Sequence, residues 1–234
     1  MRFENRSVLV TGAAGALGSA VAEAFGGEGA RLLLLDVAEE ALEKRFGPPT
    51  ERRIHLAANL MEAESVAQAV AAGVAESGGI DVLCNVAGAF RMGDPVHEVP
   101  GEVWRLMLDL NAGSLVNMAK AVVPEMLRGG GGKIVNVGAL AALSGSANMG
   151  AYIASKSVVL RLTESMAAEL GGRGINVNCV LPGTMDTPAN RAAMPDVDPG
   201  SLVTPQAVAE VILFLASDAA GAVQGATIPV AGRG

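Results

Sequence analysis

The chain has 234 residues, a length that suits one α/β domain with a core large enough to need no disulfide or metal staple. At 50 % hydrophobic and 18 % charged it is too apolar to be disordered. A net charge of −7 without a basic run argues against nucleic-acid and anionic-membrane partners, and no apolar stretch reaches the roughly 18 residues of a membrane span.

In chain order, the pattern alternates short apolar runs with helical periodicity. Strands are expected at 7–11, 31–35, 52–57, 80–85, 133–137, 174–181 and 226–230. Between them, helices are expected at 16–26, 38–46, 61–76, 102–127 (with Pro124 near its end), 150–170 and 204–216, the last with Thr204 as N-cap and Pro205 at its first position. Strands that are apolar throughout and separated by helices imply a parallel sheet covered on both faces, hence a doubly wound Rossmann-type domain. The segment 182–203 is the one long irregular stretch, and such loops usually serve a site. Ligands in these sheets bind beyond the carboxyl ends of the strands. The start, MRFENRSVLVTG, lacks signal-peptide architecture, and Cys84 and Cys179 lie in apolar runs and read as reduced core residues. A cytoplasmic protein is therefore expected.

The first strand ends in a glycine turn. Gly12, Gly15 and Gly18, with Ala16 and Leu17 between them, open the first helix, whose free N–H groups and positive dipole end suit a pyrophosphate. Asp36 closes the second strand 18 residues after Gly18, where an acid can bond the adenosine ribose hydroxyls and repel a 2′-phosphate. The neighbouring Val37 supplies no cation, so NAD(H) is expected over NADP(H).

With these residues the chain resembles the short-chain dehydrogenase/reductase family over nearly its whole length. TGAAGALG (11–18) is similar to the family's cofactor turn, Asn85-Val86-Ala87-Gly88 to its N-x-A-G element, Tyr152-Ile153-Ala154-Ser155-Lys156 to its Y-x-x-x-K, and Pro182-Gly183 with Thr187 to its P-G-x-x-x-T loop. Asn111 stands where the family places a catalytic Asn. The resemblance implies seven parallel strands in the order 3-2-1-4-5-6-7, and a cofactor site including Asn85, Ala87, Gly88, Val137, Pro182, Gly183 and Thr187. Asn59-Leu60 occupies the family's adenine-contact position. The resemblance also implies that Asn111 supports the lysine through water. It further implies a dimer or tetramer formed through helices 102–127 and 150–170.

The chemistry of the pair agrees. Tyr152, the only Tyr of the chain, and Lys156 are four apart and share one helix face. A nearby ammonium is expected to lower the phenol pKa and make Tyr152 a general acid or base at neutral pH, with Lys156 as its partner.

One element departs from the family. A Ser usually stands 13 residues before the Tyr, and here that position is Ala139, which cannot donate a hydrogen bond. Three explanations are open: Ser144 or Ser146 takes over from the following loop, the substrate needs less polarisation, or activity is weak. The second option has a counterpart: GALAAL (138–143) and LPGTMDTPANRAAMP (181–195) resemble the dihydropteridine reductases, a branch of the family that lacks this serine. A quinonoid dihydropterin is an activated imine that needs a proton more than a carbonyl clamp. Met149, Met185 and Met194 suit an adaptable apolar substrate face. Asp186 and Arg191 are expected as substrate contacts or as a pair, Trp104 as packing, and His55 and His97, far apart in sequence, as unrelated to a metal. The reading is an NAD(H)-dependent oxidoreductase acting on a small carbonyl, alcohol or activated imine. The alternatives are pterin reduction and a catalytically weak NAD(H) sensor or scaffold.

Overall fold

The computed structural model describes residues 1–232. Its strands are β1 (Ser7–Thr11), β2 (Arg31–Asp36), β3 (Arg53–Ala57), β4 (Val82–Asn85), β5 (Gly132–Val137), β6 (Ile175–Pro182) and β7 (Thr227–Val230). All pair in parallel in the order β3-β2-β1-β4-β5-β6-β7, as expected. The principal helices are α1 (Ala16–Gly27), α2 (Glu39–Phe46), α3 (Ala63–Ser77), α4 (Gly101–Leu108), α5 (Ser114–Arg128), α6 (Gly150–Leu170), α7 (Pro188–Ala193) and α8 (Pro205–Ala216).

The alternation of side chains along each strand explains why the strands are apolar at every position. Val8, Val10, Leu32, Leu34, Val135 and Val180 meet α1 and α8 through Leu17, Val21, Phe25, Val208 and Ile212. Their neighbours Leu9, Leu33, Leu35, Leu83, Ile134 and Val177 meet Val66 and Val70 of α3, Leu115 and Val122 of α5, and Val159 and Leu160 of α6. Two dry layers thus enclose the sheet, and neither face is left for water. Both cysteines are free and buried within these layers. The expected Thr204 cap is present: its hydroxyl accepts from the Ala207 amide at 3.2 Å, with Pro205 next in the helix.

Three expectations are corrected. The long helix at 102–127 is interrupted: α4 passes into a π-helical turn at Asp109–Gly113 before α5 resumes. The Ser114 hydroxyl donates to the Leu110 carbonyl at 2.6 Å within this turn, and the inward Asn111 side chain is tied to another segment, so the ladder widens there. The 182–203 stretch is not wholly irregular. Thr187 accepts from the Asn190 amide at 3.2 Å and caps α7, and Asn190 Nδ2 donates to the Met185 carbonyl at 2.8 Å. Trp104, expected as packing, leaves 43 % of its surface exposed on α4 and so packs only in part. No described helix is long and apolar enough to cross a membrane.

Candidate active site

A cleft of about 610 Å³ lies at the carboxyl ends of β1, β2 and β4. Its floor is the glycine turn. Gly12 has a φ of +62° and carries its backbone so close to the loop after β4 that a Cβ would sit 2.9 Å from the Ala87 Cα. Only glycine meets both demands. Thr11 fixes that approach from below, its hydroxyl accepting from the Val86 and Ala87 amides at 3.0 and 3.1 Å. Ala16, Leu17 and Gly18 line the cleft at the first turn of α1, where amides have no intrahelical acceptor, so three N–H groups and the dipole end face the opening.

Asp36 forms the far wall. Its carboxylate accepts from the Ala14 amide at 2.9 Å and the Val37 amide at 2.8 Å, which ties β2 to the glycine turn. Among the described residues lining the cleft it is the one charged group. Val37, Asn59, Leu60, Ala87 and Gly88 line it too, and so does Met185, which was expected at the substrate face. Asn59 is engaged locally, donating to Glu62 Oε1 at 2.7 Å and accepting from the Met61 amide at 3.1 Å. A dinucleotide fits this donor set: free amides for the pyrophosphate, a carboxylate for ribose hydroxyls, apolar walls for a base. A 2′-phosphate would meet a carboxylate and no cation.

Gly88 joins the cleft to Asn111 and Lys156. A Cβ there would lie 2.7 Å from Asn111 Oδ1 and 3.1 Å from Lys156 Nζ. Asn111 is buried and held on three sides: Oδ1 accepts from the Ala89 amide at 2.9 Å, and Nδ2 donates to the Ala89 carbonyl at 3.0 Å and to Ser155 Oγ at 2.9 Å. The Ser155 hydroxyl donates onward to the Tyr152 carbonyl at 2.7 Å. The π turn, the loop after β4 and the first turns of α6 are therefore one hydrogen-bonded unit. Its members Ser155 and Ala89 escaped sequence reasoning. Ser155 lies inside Y-x-x-x-K, where the pattern leaves the residue free.

Lys156 is 5 % exposed, and its ammonium donates to the Val137 carbonyl at 2.9 Å. Burial lowers its pKa to about 8. Tyr152 is half-buried, and burial pushes its phenol above the usual value rather than below it. The ammonium donates to a carbonyl at the end of β5, and burial is what moves the phenol. The Phe90 ring meets Tyr152 edge-on, with centroids 4.9 Å apart and planes at 84°. Phe90 carried no signal in the sequence beyond following the N-x-A-G element.

The remaining residues take these places. Asn85 is buried and donates to Asn136 Oδ1 at 2.9 Å, leaving its own Oδ1 without a partner among the described residues. Pro182 ends β6, the Gly183 amide donates to the Val230 carbonyl at 3.0 Å, and Thr187 is buried. Ala139 is buried, and no hydroxyl stands at its position. Ser144 and Ser146 are exposed, and neither makes a side-chain hydrogen bond among the described residues. Asp186 and Arg191 pair with each other, Arg191 Nη2 donating to Asp186 Oδ2 at 2.6 Å, which lowers the carboxyl pKa and raises the guanidinium's.

The comparisons with known proteins agree with this geometry. Residues 12–232 match the family model described as enoyl-(acyl carrier protein) reductase. The chain is 36 % identical over 240 residues to cis-4-hydroxycyclohexanecarboxylate dehydrogenase of Sinomonas cyclohexanicum, covering 98 % of this chain and 96 % of that protein. It is 34 % identical over 244 residues to the 3-oxoacyl-[acyl-carrier-protein] reductase of Thermotoga maritima, covering 99 % and 98 %. Among solved structures, a short-chain type dehydrogenase/reductase from Mycobacterium ulcerans superposes with a TM-score of 0.91 at 28 % identity, covering 98 % and 90 %. NAD+-bound xylitol dehydrogenase gives a TM-score of 0.91 at 28 % identity, covering 99 % and 100 %.

Proposed function

The chain belongs to the short-chain dehydrogenase/reductase family, and on that footing we propose that it is an NAD(H)-dependent oxidoreductase interconverting a small secondary alcohol and its ketone. The observation that carries this reading is the meeting at Gly88, where the end of the cofactor cleft touches both Asn111 and Lys156. A nicotinamide held in this cleft would supply the hydride chemistry. The chain's own residues bind, orient and move the proton. The amides of Ala16–Gly18 take the pyrophosphate, and Asp36 takes the ribose hydroxyls and selects against a 2′-phosphate. Asn85, Ala87 and Gly88 flank the cofactor, and Gly183 and Thr187 orient its carboxamide.

Tyr152 gives its proton to the substrate oxygen in reduction and takes it back in oxidation. Lys156 holds a positive charge beside that event, and Asn111, through Ser155, fixes the turn of α6 that carries both. Relatives named as dehydrogenases of a hydroxycyclohexane carboxylate and of threitol support an alcohol substrate. We place the assembly contact, a dimer or tetramer, on α4–α5 and α6; a monomer mass in solution would overturn that.

The test is NADH formation from NAD+ with cis-4-hydroxycyclohexanecarboxylate, D-threitol and a 3-hydroxyacyl thioester, beside the Tyr152→Phe variant. Turnover that falls by about 10²–10⁴ in the variant, with NADH binding kept, is expected. Binding without turnover on any acceptor would favour a sensor instead. Pterin reduction remains the second reading because Ala139 presents a buried methyl where a donor usually stands. Rapid NADH oxidation by quinonoid dihydropterin, with no turnover of the alcohols, would establish it.

A further inference from the structure

The loop after Gly88 carries a cation that the mechanism does not use. Arg91 follows Phe90, whose ring rests against Tyr152. Among the described residues Arg91 makes neither an ion pair nor a side-chain hydrogen bond. The other cations near the site are engaged: Arg191 holds Asp186, and Lys156 holds the Val137 carbonyl. Asp94, on the same loop, forms no ion pair with Arg91.

Arg91 also has a hollow to serve. A depression of about 60 Å³ is lined by Arg91, Met92, Val103, Asn148 and Ala151, with the Asp94 carboxylate also on its wall. Ala151 is the residue before Tyr152. The loop is fixed to this wall, since the Gly93 amide donates to the Asn148 carbonyl at 2.9 Å. The hollow has room for a group the size of a carboxylate and not for a chain. Phe90, the residue before Arg91, lies against the Tyr152 ring and is 51 % exposed, an apolar face on which a ring or short aliphatic segment can lie. In a chain of net charge −7, a guanidinium that Asp94 on the same wall does not pair is the one group at this hollow that can draw an anion.

We infer that Arg91 reads a carboxylate on the substrate, so that the enzyme acts on a hydroxy or oxo acid whose carbinol lies at Tyr152 and whose apolar body covers Phe90. This rests on the oxidoreductase reading above and adds the charge of its substrate. Arg91 offers a planar fork of donors that a carboxylate matches with two parallel hydrogen bonds. An amide of the same shape matches it poorly.

The experiment measures binding of cyclohexanecarboxylate and of cyclohexanecarboxamide to the NADH-loaded protein by calorimetry. The wild type is expected to prefer the carboxylate by about tenfold, the low end for a hydrogen bond to a charged group, since Arg91 is solvent-exposed. Arg91→Gln is expected to abolish that preference and Arg91→Lys to keep part of it, and added salt should weaken it in the wild type. Equal affinity for the two probes in the wild type, binding of neither, or a preference that survives in Arg91→Gln overturns the inference. The readout is a ratio of affinities, independent of turnover. A failure of the oxidoreductase reading would show instead as absent NADH formation from every alcohol, whatever the ratio.

Discussion

Gly88→Ala isolates the contact between cofactor cleft and acid–base residues. The added methyl would stand 2.7 Å from Asn111 Oδ1 and 3.1 Å from Lys156 Nζ. Neither atom can retreat freely. Moving Oδ1 breaks its bond from the Ala89 amide and strains those from Nδ2 to Ala89 and Ser155; moving Nζ breaks the one bond to Val137. One or two such losses in a buried setting cost about 1–3 kcal/mol. For a chain of this size that lowers Tm by roughly 2–4 °C per kcal/mol. Because the displaced groups are the ones beside the reacting centre, kcat should fall by about 10- to 100-fold while the fold persists. Tm by calorimetry and kcat from NADH formation measure the two effects. The decisive comparison is Asn111→Ala alone and combined with Gly88→Ala: once Oδ1 is gone, the second substitution should cost much less than it does in the wild type. Additive losses, or a Gly88→Ala enzyme with wild-type kcat and Tm, would refute the claim that this contact sets the geometry.

Other substitutions probe separate parts of the site. Asp36→Asn removes the charge that faces the ribose while leaving an acceptor for the Ala14 amide, so the preference for NAD+ over NADP+ should shrink by about tenfold or more, read as a ratio of Kd values. Lys156→Met removes an ammonium whose pKa burial lowers from 10.5 to about 8. A lysine lowered in the folded state binds fewer protons than the unfolded chain between those values, so its stability contribution is present above pH 10.5, is lost as pH falls toward 8, and stays lost below. The Tm of the variant relative to wild type should therefore be more favourable at pH 7 than at pH 10.5, even as turnover vanishes. Ala139→Ser restores a hydroxyl beside the substrate oxygen: on a ketone substrate kcat/KM should rise by about 5- to 100-fold, and on an already activated imine it should barely change.

The electrostatics of the pair gives these predictions a common basis. With Ala139 unable to donate and Ser144 and Ser146 exposed, the substrate oxygen has one evident donor, the Tyr152 phenol. Burial raises the phenol pKa further above its ordinary value and lowers that of Lys156 to about 8, so it moves the two groups in opposite directions, each toward its neutral form.

The sheet was legible because each strand is buried on both faces, and continuous apolar runs such as RLLLL mark such strands within a residue or two. The π turn was not, because the apolar spacing of 102–127 continues through it; what opens the helix is Asn111 turning inward to Ala89, a contact between segments 22 residues apart. α7 was missed since six residues held by one threonine cap and one asparagine bond leave no periodicity to read. Gly12 and Asp36 could be placed from local physics, since a turn after a strand and an acid after the next strand each do one thing. Tyr152, Lys156 and Asn111 were found together through family resemblance, because nothing local says that a helix face, a strand end and a π turn will meet. The direction of the tyrosine's pKa could not be had either way. It follows from the burial of the ring, which exists only once α6 is packed and Phe90 lies against Tyr152.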